Sequence, residues 1–220
     1  GEENFDQYFA GGDIKDKKAA ESLKRFGIEE GPSDRKWEKY DDRFDVTKEP
    51  NEPNRFGWLV EINPLDPKST PIKHTAVGRY KHEAGNIHIT KDGTVVCYSG
   101  DDSRFEYVYK FVSSKKYKEG DIKHNMTLLD HGTLYVAKME GNSPEKEIDG
   151  SGVLPEDGAF DGSGEWVKLL TSDTENNKFE SHVDGMSAEE VAVFTREAAD
   201  KVGATKMDRP EDVEVHPETE

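Results

Sequence analysis

Two short strings hold the residues best placed to do chemistry. Lys81-His82-Glu83 precedes the alternating pair Ile87/Ile89, and Arg209-Pro210-Glu211 precedes Val213/Val215. Each is a basic residue, a glutamate two positions on, and then a β-type alternation, so Glu83 and Glu211 are both expected to open strands. Gly100-Asp101-Asp102 stands where another β-type run ends. Carboxylates held at strand ends have two fates. Two brought to about 4 Å at an effective dielectric near ~20 repel by about 4 kcal/mol, and a hard cation such as Ca²⁺ removes that penalty through oxygen ligation. Kept apart, they are solvated strand-edge acids or partners in surface salt bridges. Arg209 adds a guanidinium whose fork could clamp a phosphate beside Glu211. A salt bridge to Asp208 or Asp212 is the other reading of that spacing, and a local ion pair is the expectation for Arg104 and Glu106.

Composition limits how much any one acid means. The chain has 47 Asp and Glu against 30 Lys and Arg, a formal charge of −17 in 220 residues. Nucleic acid and anionic membrane both reward excess cation, so neither is an expected partner. Most of the carboxylates must face water, and a functional one has to be distinguished by its surroundings. Ten Phe, eight Tyr and three Trp are enough for a core. Cys97 is the single cysteine; lying in Val95-Val96-Cys97-Tyr98, it reads as a packed thiol. No apolar run approaches the roughly 18–20 residues of a membrane span, and no signal peptide is recognisable. Both ends, GEENF and HPETE, read as cuts through a larger protein. The seven histidines form no HxH or HExxH spacing, and Walker, GxSxG and CxxC motifs are missing. Residues 157–164 (DGAFDGSG) lack the pattern of a calcium loop and read as a flexible connection.

The elements that would position these residues are mostly strands. Phe56–Ile62 and Ile72–Val77 are expected strands; Gly78–Val112 holds three more around the Asp92-Gly93 turn. Met126–Leu129 and Thr133–Lys138 are expected to form a hairpin, Trp166–Leu170 another strand, and 140–164 a loop. Helices are expected at Lys17–Phe26, stopped by Gly27, and over about 187–202. The second has Ser187 and Glu190 as a capping box, an apolar stripe of Val191, Phe194, Ala198 and Val202, and Gly203 as its stop. Trp37, Tyr40 and Phe44 are spaced for one helical face or an aromatic anchor. Short strands joined by turns predict an all-β protein: residues 1–220 as one incomplete β-propeller region, with a helical and loop insertion over about 10–55. A sandwich is compatible with the same strand count.

Longer strings narrow this further. GEENFDQYF (1–9), RFGWLVEINPLDPKSTPIKHTAVGRYKHE (55–83), GDDSRFEYVYKFV (100–112), LLDHGTLYVAKME (128–140), GEWVKLL (164–170) and AADKVGATKMDRPEDVEVHP (198–217) together resemble the PhoX-type alkaline phosphatase family. The resemblance implies a central portion of a β-propeller phosphomonoesterase with an iron–calcium cluster, exported to the bacterial periplasm or beyond and acting on small phosphoesters as a monomer. It also implies roles: Glu83 as an iron ligand, Asp102 as a calcium ligand, Glu211 as a further metal-ligating carboxylate, and Arg209 as the group that binds the substrate phosphate. Glu2 and Glu3 lie in the segment that follows an iron-bound cysteine in the family, and Gly1 stands at the cysteine position here. A calcium-binding propeller scaffold without catalysis, or a calcium-dependent esterase or lactonase, are the competing readings.

Overall fold

The computed structural model describes residues 1–141, 143–156, 158 and 161–218; residues 157, 159 and 160 of the 157–164 stretch lie outside them. Strands β1 (Leu59–Glu61) and β2 (Ile72–His74) form an antiparallel pair. Strands β3 (Asn86–Ile89), β4 (Thr94–Gly100), β6 (Val108–Lys116), β7 (His131–Gly141), β8 (Gly162–Asp173) and β9 (Lys178–Ser181) follow one another as an open six-stranded antiparallel sheet in the order β3-β4-β6-β7-β8-β9. Strand β5 (Arg104–Glu106) leaves the sheet between β4 and β6 and pairs with β10 (Met207–Asp208). The protein is thus mostly sheet with few helices, and no radial array closes among the described residues.

Period-two burial explains the main sheet. In β6, Tyr109 and Phe111 are buried and alternate with Lys110 and Val112. With Cys97, Tyr107, Leu134, Val136, Leu169 and Leu170 they form the floor of the main core, and Val191, Ala198 and Ala199 cover it. Those three come from α3 (Ala188–Val193) and α4 (Thr195–Lys201). Full burial of a side chain such as Leu134 contributes about 1.5–3 kcal/mol. The expected capping box is present, with Ser187 Oγ accepting from Glu190 N and Glu190 accepting from Ser187 N. The helical stretch is divided, however, because Phe194 leaves the helical region at φ −109, ψ 50.

A second, smaller core is built from Phe5, Phe9, Leu23, Phe26, Ile28, Phe44 and Val46. Helix α1 (Lys17–Arg25) starts where Asp16 accepts from Lys18 N and Ala19 N, and Gly27 follows it at φ 90. The Phe26 ring joins the two cores: the Arg79 and Arg196 guanidinium carbons lie 4.3 and 4.0 Å from its centroid. Trp37, Tyr40 and Phe44 do not share a helix. They lie on two short 3₁₀ turns, Phe44 buried and Tyr40 91% exposed, because Asp41 caps a new turn by accepting from Arg43 N.

Several other expectations are corrected. Met126–Leu129 is no strand: Asp121 caps a short helix α2 (Ile122–Asn125) and a 3₁₀ turn follows at Leu128–Asp130. β7 finds its partners in β6 and β8 instead. Ile72–Val77 is extended only to His74, then turns as 3₁₀ into Gly78 at φ 90. β8 begins at Gly162 and outruns the expected Trp166–Leu170, while β9 is an exposed polar edge strand with no apolar alternation to announce it. Arg104 and Glu106 are not an ion pair. Phe105, at φ 68, breaks the alternation between them, so Arg104 approaches Asp208 at 3.8 Å and Glu106 binds Arg25 at 2.8 Å. Neither Glu83 nor Glu211 opens a strand: Glu83 lies in a bend three positions before β3, and residues 209–216 run without regular structure.

One buried group makes stability pH-dependent. His74, inaccessible to solvent, bridges Asp130 Oδ1 and Glu61 Oε2 at 2.8 Å each, tying the β1–β2 pair to the turn before β7. Burial alone would lower its pKa; the hydrogen bonds and charges of Asp130 and Glu61 outweigh it and push it up to about 9. A raised histidine pKa stabilises fully below the unfolded value and loses that contribution as pH passes through the folded one. At about 1.4 kcal/mol per unit the contribution is at most about 3.5 kcal/mol. The melting temperature of the protein is therefore expected to decline, relative to His74→Gln, as pH rises from 6.5 through about 9. Parallel profiles for the two would refute this.

Candidate metal centre

Two backbone segments cross where β4 ends and β3 is about to begin. Asp101 bridges His82, Asp102 N donates to Lys81 O at 3.1 Å, and Glu83 N donates to Gly100 O at 3.4 Å. This crossing places the Glu83 and Asp102 side chains together although 19 positions separate them. Glu3 arrives from the N-terminal segment, which is held by Glu2 N donating to Trp58 O at 3.0 Å and by Phe5 in the second core. One carboxylate oxygen from each of Glu3, Glu83 and Asp102 lies within 4.8 Å of the other two.

The electrostatics of this trio are unfavourable by themselves. Glu83 is raised above the ordinary glutamate pKa by burial first, then by the charge and hydrogen bonding of Glu3, then by the charges of Asp102 and Glu211. Asp102 Oδ1 is buried with no hydrogen-bond partner, although a buried carboxylate oxygen normally has at least one. Its Oδ2 accepts from Arg209 Nη2 at 2.7 Å, and the same nitrogen lies 2.9 Å from Glu211 Oε1. Arg209 therefore pairs with Asp102 and Glu211, not with Asp208 or Asp212. Its Nε and Nη1 have no partner among the described residues, and the side chain is 54% exposed.

Local geometry brings Arg209 here. A Cβ on Gly100 would lie 2.2 Å from Pro210 O and 2.3 Å from Glu211 O, so only glycine lets this segment pass against the end of β4. Asn86 Nδ2 then holds Val213 O at 2.8 Å. Arg209 itself adopts φ 56 before a proline, a costly conformation for a long side chain that the surrounding contacts enforce.

The other residues singled out in the sequence fare differently. Glu211 reaches the trio only through Arg209. Glu2 is turned away from it: Oε1 accepts from Lys73 Nζ at 2.7 Å and Oε2 from Trp58 N at 3.1 Å, so both oxygens serve the β1–β2 side. A Cβ on Gly1 would meet His82 O at 2.1 Å, so position 1 leaves no room for a side chain without a backbone shift. Cys97 is buried within β4, where burial pushes its thiol up to about 12. Sequence reasoning missed Arg196, which is wholly buried on α4 and grips Asp101, the neighbour of Asp102. An arginine between Thr195 and Glu197 on a short helix carries no local signal of so distant a partner.

Among curated proteins none matches the chain. Among solved structures, Pseudomonas fluorescens PhoX in complex with vanadate, a transition state analogue, is 39% identical with a TM-score of 0.73. The alignment covers 98% of this chain and 35% of that one, so this chain spans about a third of the length of its relative. The sequence profile of alkaline phosphatase PhoX matches residues 1–220, the whole of the chain. Sequence profile and structural likeness over the full length place this chain in the alkaline phosphatase PhoX family.

Proposed function

We propose that this chain provides one wall of a metal-dependent phosphomonoesterase site, with Glu3, Glu83 and Asp102 as cation ligands and Arg209 as the phosphate-binding residue. The observation that carries the reading is the buried, unpartnered Asp102 Oδ1 within a trio of converging carboxylates. An all-oxygen donor set of this kind suits calcium. Iron rests on family membership alone, since Gly1 carries no thiol and the Cys97 thiol is buried within β4 with its pKa pushed up by burial. Glu211 would act as a ligand only if Arg209 released it, and Glu2 supports the β1–β2 side instead of the cation.

When bound, the cations supply positive charge that offsets the charge growing on the phosphoryl oxygens in the transition state. The residues of the chain do the rest. Asp102 and Glu211 hold Nη2 of Arg209 and leave Nε and Nη1 open; those two donate in diverging directions, so each would give a phosphate oxygen a single hydrogen bond, and a forked grip would form once Nη2 is released by one carboxylate. The vanadate bound by the P. fluorescens relative is the kind of oxyanion such a grip would suit. The substrate class is a small phosphoester. The remaining ligands, and the further blades of a β-propeller, would come from polypeptide outside this chain, and the complete protein would be a monomer exported to the periplasm or the medium. No helix among the described residues is long and apolar enough to cross a membrane.

The test is hydrolysis of p-nitrophenyl phosphate by the purified protein with and without chelator, alongside metal analysis. Turnover lost on chelation, restored by calcium and lowered about 10²-fold by Arg209→Ala is expected. Turnover that survives both sinks the reading. Calcium binding without any turnover leaves the scaffold alternative, and hydrolysis confined to carboxylic esters or lactones leaves the other.

A further inference from the structure

Asp101 and Asp102 are adjacent, yet they do opposite things. Asp102 faces the carboxylate trio. Asp101 points inward, wholly buried, and binds the equally buried Arg196 in fork geometry: Nε to Oδ2 at 2.7 Å and Nη2 to Oδ1 at 2.5 Å. The same Nη2 donates to Ser103 Oγ at 3.2 Å, so one guanidinium spans both sides of Asp102. Arg196 Nη1 is fixed in turn by Arg25 O at 2.8 Å, and its face by the Phe26 ring.

The clamp extends to the opposing segment. Asp101 Oδ1, held by Arg196, also accepts from Lys81 N at 3.2 Å, two residues before Glu83. Both halves of the crossing therefore depend on where Arg196 places Asp101. A planar fork restricts that placement in two directions, which a lysine at the same position cannot do. The restriction opposes a real force, because the three carboxylates it brings together repel one another.

We infer that Arg196 is a positioning residue for the carboxylate trio: it acts through Asp101 and Ser103 to hold Asp102 and Glu83 at ligating separation. The inference rests on the cation-site reading above and assigns Arg196 no contact with substrate or metal. Partners that orient metal ligands typically govern affinity by about 10–100-fold.

The experiment is calcium titration of the metal-free purified protein, at a temperature where each variant is folded, for the wild type, Arg196→Lys, Ser103→Ala and Glu83→Gln. Arg196→Lys is expected to weaken calcium binding by about tenfold, with activity recovering at saturating calcium. Ser103→Ala, which removes only the outer contact, is expected to show a smaller loss in the same direction. If Glu83→Gln weakens binding while Arg196→Lys, though folded, binds as the wild type does, Arg196 is merely structural and the inference fails. If Arg196→Lys does not fold, Ser103→Ala decides: wild-type affinity there overturns the inference. Unchanged affinity in Glu83→Gln overturns the cation site itself, an outcome separate from the other two.

Discussion

Glu83→Gln is expected to lower phosphatase turnover by about 10³-fold while leaving the metal-free protein folded and no less stable. The two halves of this result have one cause. Glu83 sits among Glu3, Asp102 and Glu211, and their charges, with burial, raise its pKa above the ordinary value. A raised carboxylate pKa means that ionisation opposes folding, and the opposition sets in as pH rises above the unfolded pKa. Removing that charge relieves the repulsion when no cation is bound. With cation present the same charge is needed, and the several kcal/mol of transition-state stabilisation that a bound ion supplies correspond, at about 1.4 kcal/mol per decade, to roughly 10³ in rate. Steady-state kinetics and thermal melts with and without calcium check both halves. A variant that retains more than a tenth of the activity, or that melts lower than the wild type in chelator, contradicts the account.

Asp101→Asn is expected to destabilise the protein by about 3–5 kcal/mol, the cost of leaving one member of a buried ion pair without its counter-charge. Arg196 and Asp101 are both fully buried. The compensation is broader than one pair: Glu106, itself bound to Arg25, lies 3.7 Å from Arg196, and Asp200 binds Arg25 and Tyr107. Asparagine keeps an oxygen for Lys81 N but leaves Arg196 with only the more distant Glu106 as counter-charge, in the field of Arg79, another buried guanidinium, which is held by the carbonyls of Phe56 and Pro53. At about 2–4 °C per kcal/mol for a domain of this size, the melting temperature should fall by about 6–20 °C. Asp92→Asn, which breaks an exposed pair with Lys116, should leave it almost unmoved. Equal effects of the two substitutions would show that burial does not set the cost.

Much of the architecture was legible in the residues because it depends on short-range patterns. The apolar run of β4, the alternation through β6, the Asp92-Gly93 turn, the Lys17–Arg25 helix and the Ser187/Glu190 capping box all stand where local propensity places them. The hairpin expected at Met126–Leu129 failed because a short apolar run suits a helical turn as well as a strand, and Asp121 supplies a cap eight residues before Leu129. β9 was unreadable since an exposed edge strand carries no apolar signature.

The candidate site divides along the same line. Residue types and family strings alone determined that Glu83, Asp102, Arg209 and Glu211 are the groups to follow, because carboxylates and a guanidinium beside strand ends have a small range of chemistry. Only the tertiary structure decided how they assemble: Glu3 joins Glu83 and Asp102 while its neighbour Glu2 turns to Lys73, and Asp101 is given to Arg196 while Asp102 is left with a bare oxygen. Adjacent acids are equivalent in a chain with 47 of them. What separates them is burial and the position of a counter-charge, and both are set by segments as many as 107 residues away.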